Sequence, residues 1–440
     1  MNIYALSSGR GPSGIAIIRL SGKDTIKIVK LICNKKDIKP KKINFCKFLN
    51  PLDNSLIDEG LLLLFPAPNS FTGDDLAEFH IHGSNAVIAC LLRVLSEQEN
   101  SRLAEPGEFT KVAFQNNKID LVEAESIGDL IHSETELQRK QAIHLVQGNA
   151  SNYYNKLREK LIKSLAYVEA KIDFAEDDLP DTVLKELSKS IKDVRDDIKK
   201  ILEDQKVGEK IRDGFRVSIV GEVNAGKSSL LNLLSKRDVA IVSDEEGTTR
   251  DVIETYLNID GYPVILADTA GIRVSKNEVE KKGILLAINK SKESDLNIIL
   301  IDNSSKKIDT KVKNLINKNS IIVLNKSDID NKKNHNFKES ILISIKDNKN
   351  IDELINNIKD KLSNKFTTSD NILVTRERHR EKLTACLKEI DNFLKKDQNK
   401  DIEMAAEDLR LATRHLGNII GKVDVEEILG SIFKDFCIGK

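Results

Sequence analysis

Residues Gly221-Glu222-Val223-Asn224-Ala225-Gly226-Lys227-Ser228 follow an apolar run at 217–220 and precede a helix-like stretch at 229–234, the setting a G-x-x-x-x-G-K-[ST] phosphate loop requires. The glycines let backbone N–H groups approach phosphates, Lys227 reaches the outer phosphates, and the Ser228 hydroxyl is available to Mg²⁺. Asp268-Thr269-Ala270-Gly271 ends a later apolar strand, which puts a carboxylate near Mg²⁺ and a glycine N–H near the terminal phosphate. Asn325-Lys326-Ser327-Asp328 ends another. There the Asp328 carboxylate can pair with the N1–H and exocyclic amine of guanine, a paired donor edge that adenine lacks, while Asn325 addresses the other edge of the base. Gly247-Thr248-Thr249-Arg250-Asp251 lies between the first two segments, where a mobile loop can bring a threonine hydroxyl to Mg²⁺. Together, in this order, the four segments predict a guanine-nucleotide site. Ser344, at the end of the next strand, is expected to back the base, with Ile345 where alanine is usual.

The residue after Gly271 constrains hydrolysis. A Ras-type site orients the attacking water with glutamine there, but Ile272 cannot hydrogen-bond water. Arg250, as a cis-acting cation, and Glu280, as a holder of water, are the alternatives. The Asn224 carbonyl, with loop carbonyls and Thr248, offers a third: a monovalent cation placed where an arginine finger would otherwise bring its charge.

These segments need a parallel sheet to carry them. Apolar runs at 217–220, 264–267, 296–301, 320–324 and 341–345 alternate with polar or helical stretches, as such a sheet requires. Asp260-Gly261 between two of the runs predicts a hairpin, so two neighbouring strands run antiparallel. Before residue 210, Leu184, Leu187, Ile191, Val194, Ile198 and Ile201 recur by threes and fours; after the sheet, Leu383, Leu387, Ile390 and Leu394 do the same. Helical sequence on both sides marks the α/β unit as an insertion into a helical domain. Nearer the start, apolar runs at 14–20, 60–65 and 78–81 and a helix at 86–95 read as a separate mixed α/β domain. The expected divisions are 1–118, 119–212 (helical, first part), 213–371 (nucleotide-binding) and 372–440 (helical, second part).

A formal charge of zero, from 69 basic and 69 acidic residues, excludes nucleic-acid binding driven by a global field. The five cysteines have no C-x-x-C spacing, which argues against a disulfide framework or a zinc site and fits a reducing cytoplasm. No apolar run approaches membrane-spanning length, so no membrane partner is expected.

Other strings carry a specific resemblance. Ser70-Phe71-Thr72-Gly73-Asp74-Asp75, Glu78-Phe79-His80-Ile81-His82-Gly83, Ala104-Glu105-Pro106-Gly107-Glu108-Phe109-Thr110, Asp120-Leu121-Val122-Glu123-Ala124-Glu125 and Phe436-Cys437-Ile438-Gly439-Lys440 resemble the signatures of the tRNA modification GTPases called MnmE or TrmE, as do the GEVNAGKSSLLN, GTTRD and DTAGI strings. The resemblance covers nearly the whole chain. It implies a multidomain α/β and all-α fold: an N-terminal α/β dimerisation and folate-binding-like domain, a central helical domain, and an inserted Ras-like P-loop α/β G domain. It also implies a cytoplasmic homodimer whose N-terminal domains bind a one-carbon tetrahydrofolate derivative (5-formyl- or 5,10-methylene-tetrahydrofolate), and whose G domains pair across GTP in the presence of K⁺. With the flavin-dependent partner MnmG (GidA), in a heterotetramer or larger complex, the family adds a carboxymethylaminomethyl or aminomethyl group to carbon 5 of the wobble uridine of certain tRNAs.

Carried over by motif, Asn224, Ser243, Glu245 and Thr248 would surround K⁺, Ser228 and Thr249 would hold Mg²⁺, and Glu280 would position the attacking water through a second water. GTP would also touch Ala225, Gly226, Lys227, Ser229, Asp244, Glu246, Gly247, Asp268, Thr269, Ala270, Gly271, Asn325, Lys326, Asp328 and Ser344. Arg19, Glu78, Lys118 and Lys440 match folate-contacting positions: Glu78 can receive the donors of a pterin ring, and the cations can meet a glutamate tail. Cys437 matches a near-terminal cysteine needed for tRNA modification, although a buried cysteine can also serve simply as a small hydrophobe. The competing expectation is a regulatory GTPase switch in ribosome or RNA assembly that performs no modification.

Overall fold

The computed structural model describes residues 1–9, 11–173, 181–222, 224–237, 254–267, 292–305, 308, 310–329, 337, 339–366, 372–397, 401–423, 432, 436 and 439. Their strands are β1 (Asn2–Leu6), β2 (Ser13–Ser21), β3 (Asn44–Leu49), β4 (Leu56–Phe65), β5 (Leu76–Gly83), β6 (Ser101–Leu103), β7 (Phe215–Gly221), β8 (Glu254–Ile259), β9 (Tyr262–Ala267), β10 (Leu296–Asp302), β11 (Ser320–Asn325) and β12 (Ser340–Leu342). The helices are α1 (Thr25–Ile32), α2 (Asn85–Ser96), α3 (Glu108–Gln115), α4 (Leu121–Ile131), α5 (Glu136–Val146), α6 (Asn149–Asp173), α7 (Asp181–Leu202), α8 (Val207–Asp213), α9 (Lys227–Ser235), α10 (Thr310–Lys313), α11 (Ile351–Lys365), α12 (Glu377–Lys395) and α13 (Ile402–Ile420). Among the described residues, no helix is long and apolar enough to cross a membrane.

The chain divides into two units. One comprises Met1–Gly128, Val146–Glu159 and Thr413–Lys440. Its sheet has the order β3-β4-β5-β2-β1-β6, antiparallel except for the β1–β6 pair. Alternate residues of a strand face opposite sides. Ala16, Ile18 and Leu20 therefore join Phe79 and Ile81 in a core with α1 and α2, while Arg19 and Glu78 are carried on the other face. The Ser84 hydroxyl caps α2 by accepting from the Val87 N–H. The runs read at 14–20 and 78–81 are the centres of β2 and β5, and that at 60–65 is the second half of β4. Strands β1, β3 and β6 have no comparable run; their pairing with distant neighbours holds them in the sheet. Asp120 and Glu123 each accept the other's backbone N–H, at 3.0 and 2.8 Å, closing the first turn of α4. Farther along α4, the Phe436 ring packs so closely over Gly128 that an added Cβ would lie 3.1 Å from it.

The second unit, Asp129–Leu145 with Lys160–Ala412, holds a sheet of order β12-β11-β10-β7-β9-β8. Its pairs are parallel except for the β8–β9 hairpin, whose turn residues Asp260 and Gly261 have φ of 49° and 91°, as the sequence predicts. The strand read at 341–345 is shorter than expected: β12 ends at Leu342, and Ser344 instead bridges to Lys349.

Helix α7 packs along α12. Leu187, Ile191, Val194 and Ile198 form the buried stripe of α7, while Leu184 lies among residues whose side chains are not described. On α12 the buried seam is Leu383, Cys386, Ile390 and Phe393; Leu387 and Leu394 are only partly covered. That seam runs one position off the leucine pattern because cysteine and phenylalanine fill two of its sites. Between the two helices the α/β layer is inserted, and its entering and leaving chains touch: a Cβ on Gly208 would lie 2.0 Å from the Val374 carbonyl oxygen. Arg380 locks this crossing with bonds of 2.7 and 3.0 Å to the two Glu209 carboxylate oxygens, and one of 2.7 Å to Asp204.

Arg380 and Glu209 are only 11% and 10% exposed, so removing the guanidinium strands a nearly buried carboxylate. Arg380→Met is expected to lower the local opening free energy of α8 by about 3 kcal/mol, measured by amide hydrogen exchange. Unchanged protection would show that the ion pair does not hold the crossing.

Candidate functional site

Strand β7 ends at Gly221 beside Leu300 of β10, so close that a Cβ would lie 2.1 Å from the Leu300 carbonyl oxygen. The phosphate loop leaves from this end and turns into α9, with Asn224 and Gly226 both left-handed at φ 64° and 103°. The Lys227 ammonium donates to the carbonyls of Gly221 and Glu222, at 2.9 and 2.7 Å, curling over its own loop. Ser228 and Ser229 occupy the first turn of α9, where N–H groups directed along the axis and the helix dipole favour an anion.

The segment from Asn325 to Asp328 is pinned at three places. Asn325 donates to the Ala225 carbonyl at 2.8 Å and accepts from the Ile345 N–H at 3.2 Å, so one buried amide spans the phosphate loop and the segment after β12. A Cβ on Gly226 would lie 2.6 Å from that amide nitrogen, which explains why the loop needs glycine there. Asp328 accepts from the Ser344 hydroxyl at 2.7 Å. This bond, with a backbone bond, holds the exposed Asp328 carboxyl below the usual carboxylate range, ionised and ready to accept two donors. Lys326 extends to Asp302 at the end of β10, 2.6 Å away. Burial alone would push the Asp302 carboxyl up, but hydrogen bonds from Lys326 and Ser304 outweigh it and hold the group below its ordinary value.

The structure thus brings Asn224, Ala225, Gly226, Lys227, Ser228, Ser229, Asn325, Lys326, Asp328 and Ser344 into one connected region. Ser243, Asp244, Glu245, Glu246, Gly247, Thr248, Thr249, Arg250, Asp268, Thr269, Ala270, Gly271, Ile272 and Glu280 lie outside the described residues. Asp302 is absent from the sequence reading. It becomes visible only through strand pairing, as the register partner of Asn325.

A second polar cluster lies on the face of the first sheet opposite α1 and α2, where Phe109 of α3 also packs. Arg19 and Glu78 are register partners on β2 and β5, and the guanidinium reaches Glu78 Oε1 at 2.8 and 3.2 Å. The same guanidinium lies 5.7 and 5.5 Å from the ring centroids of Phe71 and Phe109, and 3.5 Å from the Gly439 carbonyl oxygen. That carbonyl also accepts from Ser7 at 2.8 Å, so Gly439 is fastened beside Arg19. Lys118, between α3 and α4, donates at 2.9 Å to the carbonyl of Pro68 on the loop that carries Phe71. His80 joins the cluster with Nε2 3.7 Å from Glu78 Oε2, a neighbour that sequence pattern did not single out. Cys437 and Lys440 lie outside the described residues.

Comparison with known proteins matches both regions. The family described as "GTP-binding protein TrmE N-terminus" matches residues 2–118, and "MnmE helical domain" matches residues 121–437. The chain is 59% identical to the "tRNA modification GTPase MnmE" of Pelagibacter ubique, with 100% of each chain covered. It is 42% identical to proteins of the same description from Rickettsia bellii and Parvibaculum lavamentivorans, covering 100% of this chain and 99% of each relative.

Proposed function

Because the chain belongs to the MnmE (TrmE) family of tRNA modification GTPases, we propose that it binds GTP on its phosphate loop and hydrolyses it to GDP and phosphate in the course of tRNA modification. The observation that carries this reading is the pinned guanine strip, in which Asn325 ties base recognition to the phosphate loop and the Ser344 hydroxyl fixes the Asp328 carboxylate in place. A guanine edge satisfies Asp328 with two donors. Adenine would leave that carboxylate unmatched, which disfavours ATP.

In the proposed cycle Lys227 exchanges its loop carbonyls for the outer phosphate oxygens. Ser228, on α9, and Thr249 would hold Mg²⁺, which supplies charge neutralisation on those oxygens. Asn224, whose backbone is left-handed at φ 64°, would lend a carbonyl to K⁺ alongside Ser243, Glu245 and Thr248. With Ile272 unable to orient water, Glu280 takes that role through a second water. We assign residues 213–371 to this G domain, inserted between helical parts 119–212 and 372–440, and residues 1–118 to a dimerisation and folate-binding domain.

In that domain Arg19, Glu78, Lys118 and Lys440 would hold a one-carbon tetrahydrofolate, 5-formyl- or 5,10-methylene-. The Arg19–Glu78 pair supports this, since Arg19 occupies Glu78 Oε1 and leaves Oε2, which has His80 Nε2 3.7 Å away, to meet ring donors. The homodimer would act with flavin-dependent MnmG on carbon 5 of the wobble uridine, with Cys437 required for the modification.

Three measurements test the reading. Glu280→Ala is expected to keep GTP affinity and lose about a hundredfold in turnover; wild-type turnover would remove Glu280 from the mechanism. Replacing K⁺ by Na⁺ is expected to slow hydrolysis at least about tenfold, and equal rates would exclude the cation. Mass spectrometry of tRNA nucleosides from cells lacking the chain should show loss of the wobble-uridine modification. Its persistence would favour a switch without modification chemistry.

A further inference from the structure

Lys326 is fixed by a carboxylate that the proposed cycle does not use. Its ammonium donates to Asp302 Oδ2 at 2.6 Å, and its backbone sits at φ 67°, where a side-chain-bearing residue persists only if its surroundings hold it. Asp302 is the last residue of β10 and the register partner of Asn325, so the sheet, rather than a loop, sets the anchor. The other carboxylate oxygen, Oδ1, accepts from the Ser304 N–H at 2.9 Å and from its hydroxyl at 2.6 Å. Both oxygens therefore have fixed partners, and the lysine head is held at a point determined by two strands.

A free lysine spreads its four-carbon stem over many rotamers, whereas a stem tethered at both ends presents one apolar surface. Here the ends are the backbone between Asn325 and Ser327 and the Asp302 carboxylate, so the stem runs along the strip that carries Asn325 and Asp328. We propose that Asp302 is a positioning residue for the guanine ring, holding the Lys326 stem as a preformed apolar wall against the base. This deepens the GTP-binding reading and rests on it. Because the wall meets the base and not the terminal phosphate, it acts equally on GDP and GTP and leaves the hydrolysis step unchanged.

The test uses the full chain, fluorescent GDP and GTP analogues for equilibrium binding, and steady-state hydrolysis. Asp302→Asn keeps an oxygen to accept from Ser304 while removing the charge that anchors Lys326. The expected result is about a tenfold rise in Kd for both nucleotides, with KM rising and kcat unchanged. Ser304→Ala, which trims the turn and leaves the anchor, should stay within about twofold of the unaltered chain. Lys326→Met retains a stem of similar length without its anchored head and should weaken binding about as much as Asp302→Asn. In that background, adding Asp302→Asn should change Kd by less than about twofold, because the two residues act as one unit.

Wild-type Kd in either single variant overturns the proposal. So does an undiminished Asp302→Asn effect in the Lys326→Met background, since Asp302 would then act through the fold. Should Asp302→Asn not fold, Lys326→Met alone decides the question. An unaltered chain that binds neither analogue refutes the GTP reading itself, a result distinct from failure of the anchor alone.

Discussion

One buried amide underlies the nucleotide site. Strands β7 and β11 are not neighbours; β10 lies between them. The loops leaving their ends meet because Asn325 reaches across to the Ala225 carbonyl and receives the Ile345 N–H in return. The bond fixes the loop after β7 relative to the segment after β11, and the parallel register of three strands makes it possible. Two other features follow from the same constraint. Gly226 has no room for a side chain beside that amide, and Gly221 has none beside Leu300.

The first unit solves a similar problem with a different sheet. Its antiparallel register places Arg19 opposite Glu78, and two aromatic rings with a carbonyl from near the chain's end surround the guanidinium. Here the polar pair lies directly across neighbouring strands, so a single ladder suffices to build it. The parallel sheet gathers its functional groups at strand ends, and the antiparallel sheet displays them on a face.

Much of this was legible in the chain because the signals are local. The phosphate loop, the Asp260-Gly261 turn and the apolar runs of β7, β10 and β11 each announce themselves within a few residues. What stayed hidden depends on pairing over long separations. Strands β1 and β6 are short and gain their identity from each other, and Asp302 reads as an ordinary strand-end acid until the register sets it beside Asn325. The seam of α12 was displaced for a different reason: leucine spacing favoured Leu387 and Leu394, whereas packing against α7 selected Cys386 and Phe393. Among the folate-matching residues, Arg19 and Glu78 came together, and His80 was added by the two-residue period of β5.

The crossing of chains at Gly208 and Val374 also bears on how the inserted layer can be tolerated at all. Its two ends are already in contact, so to the helix pair the whole insertion counts as one closed loop. The entropy of closing a flexible loop grows only with the logarithm of its length, by about 0.6 kcal/mol per doubling. The entropic load on the α7–α12 pairing therefore rises only slowly as the insertion grows from a short turn to an entire folded layer. A large catalytic module can hang from this junction without loosening the helices that carry it.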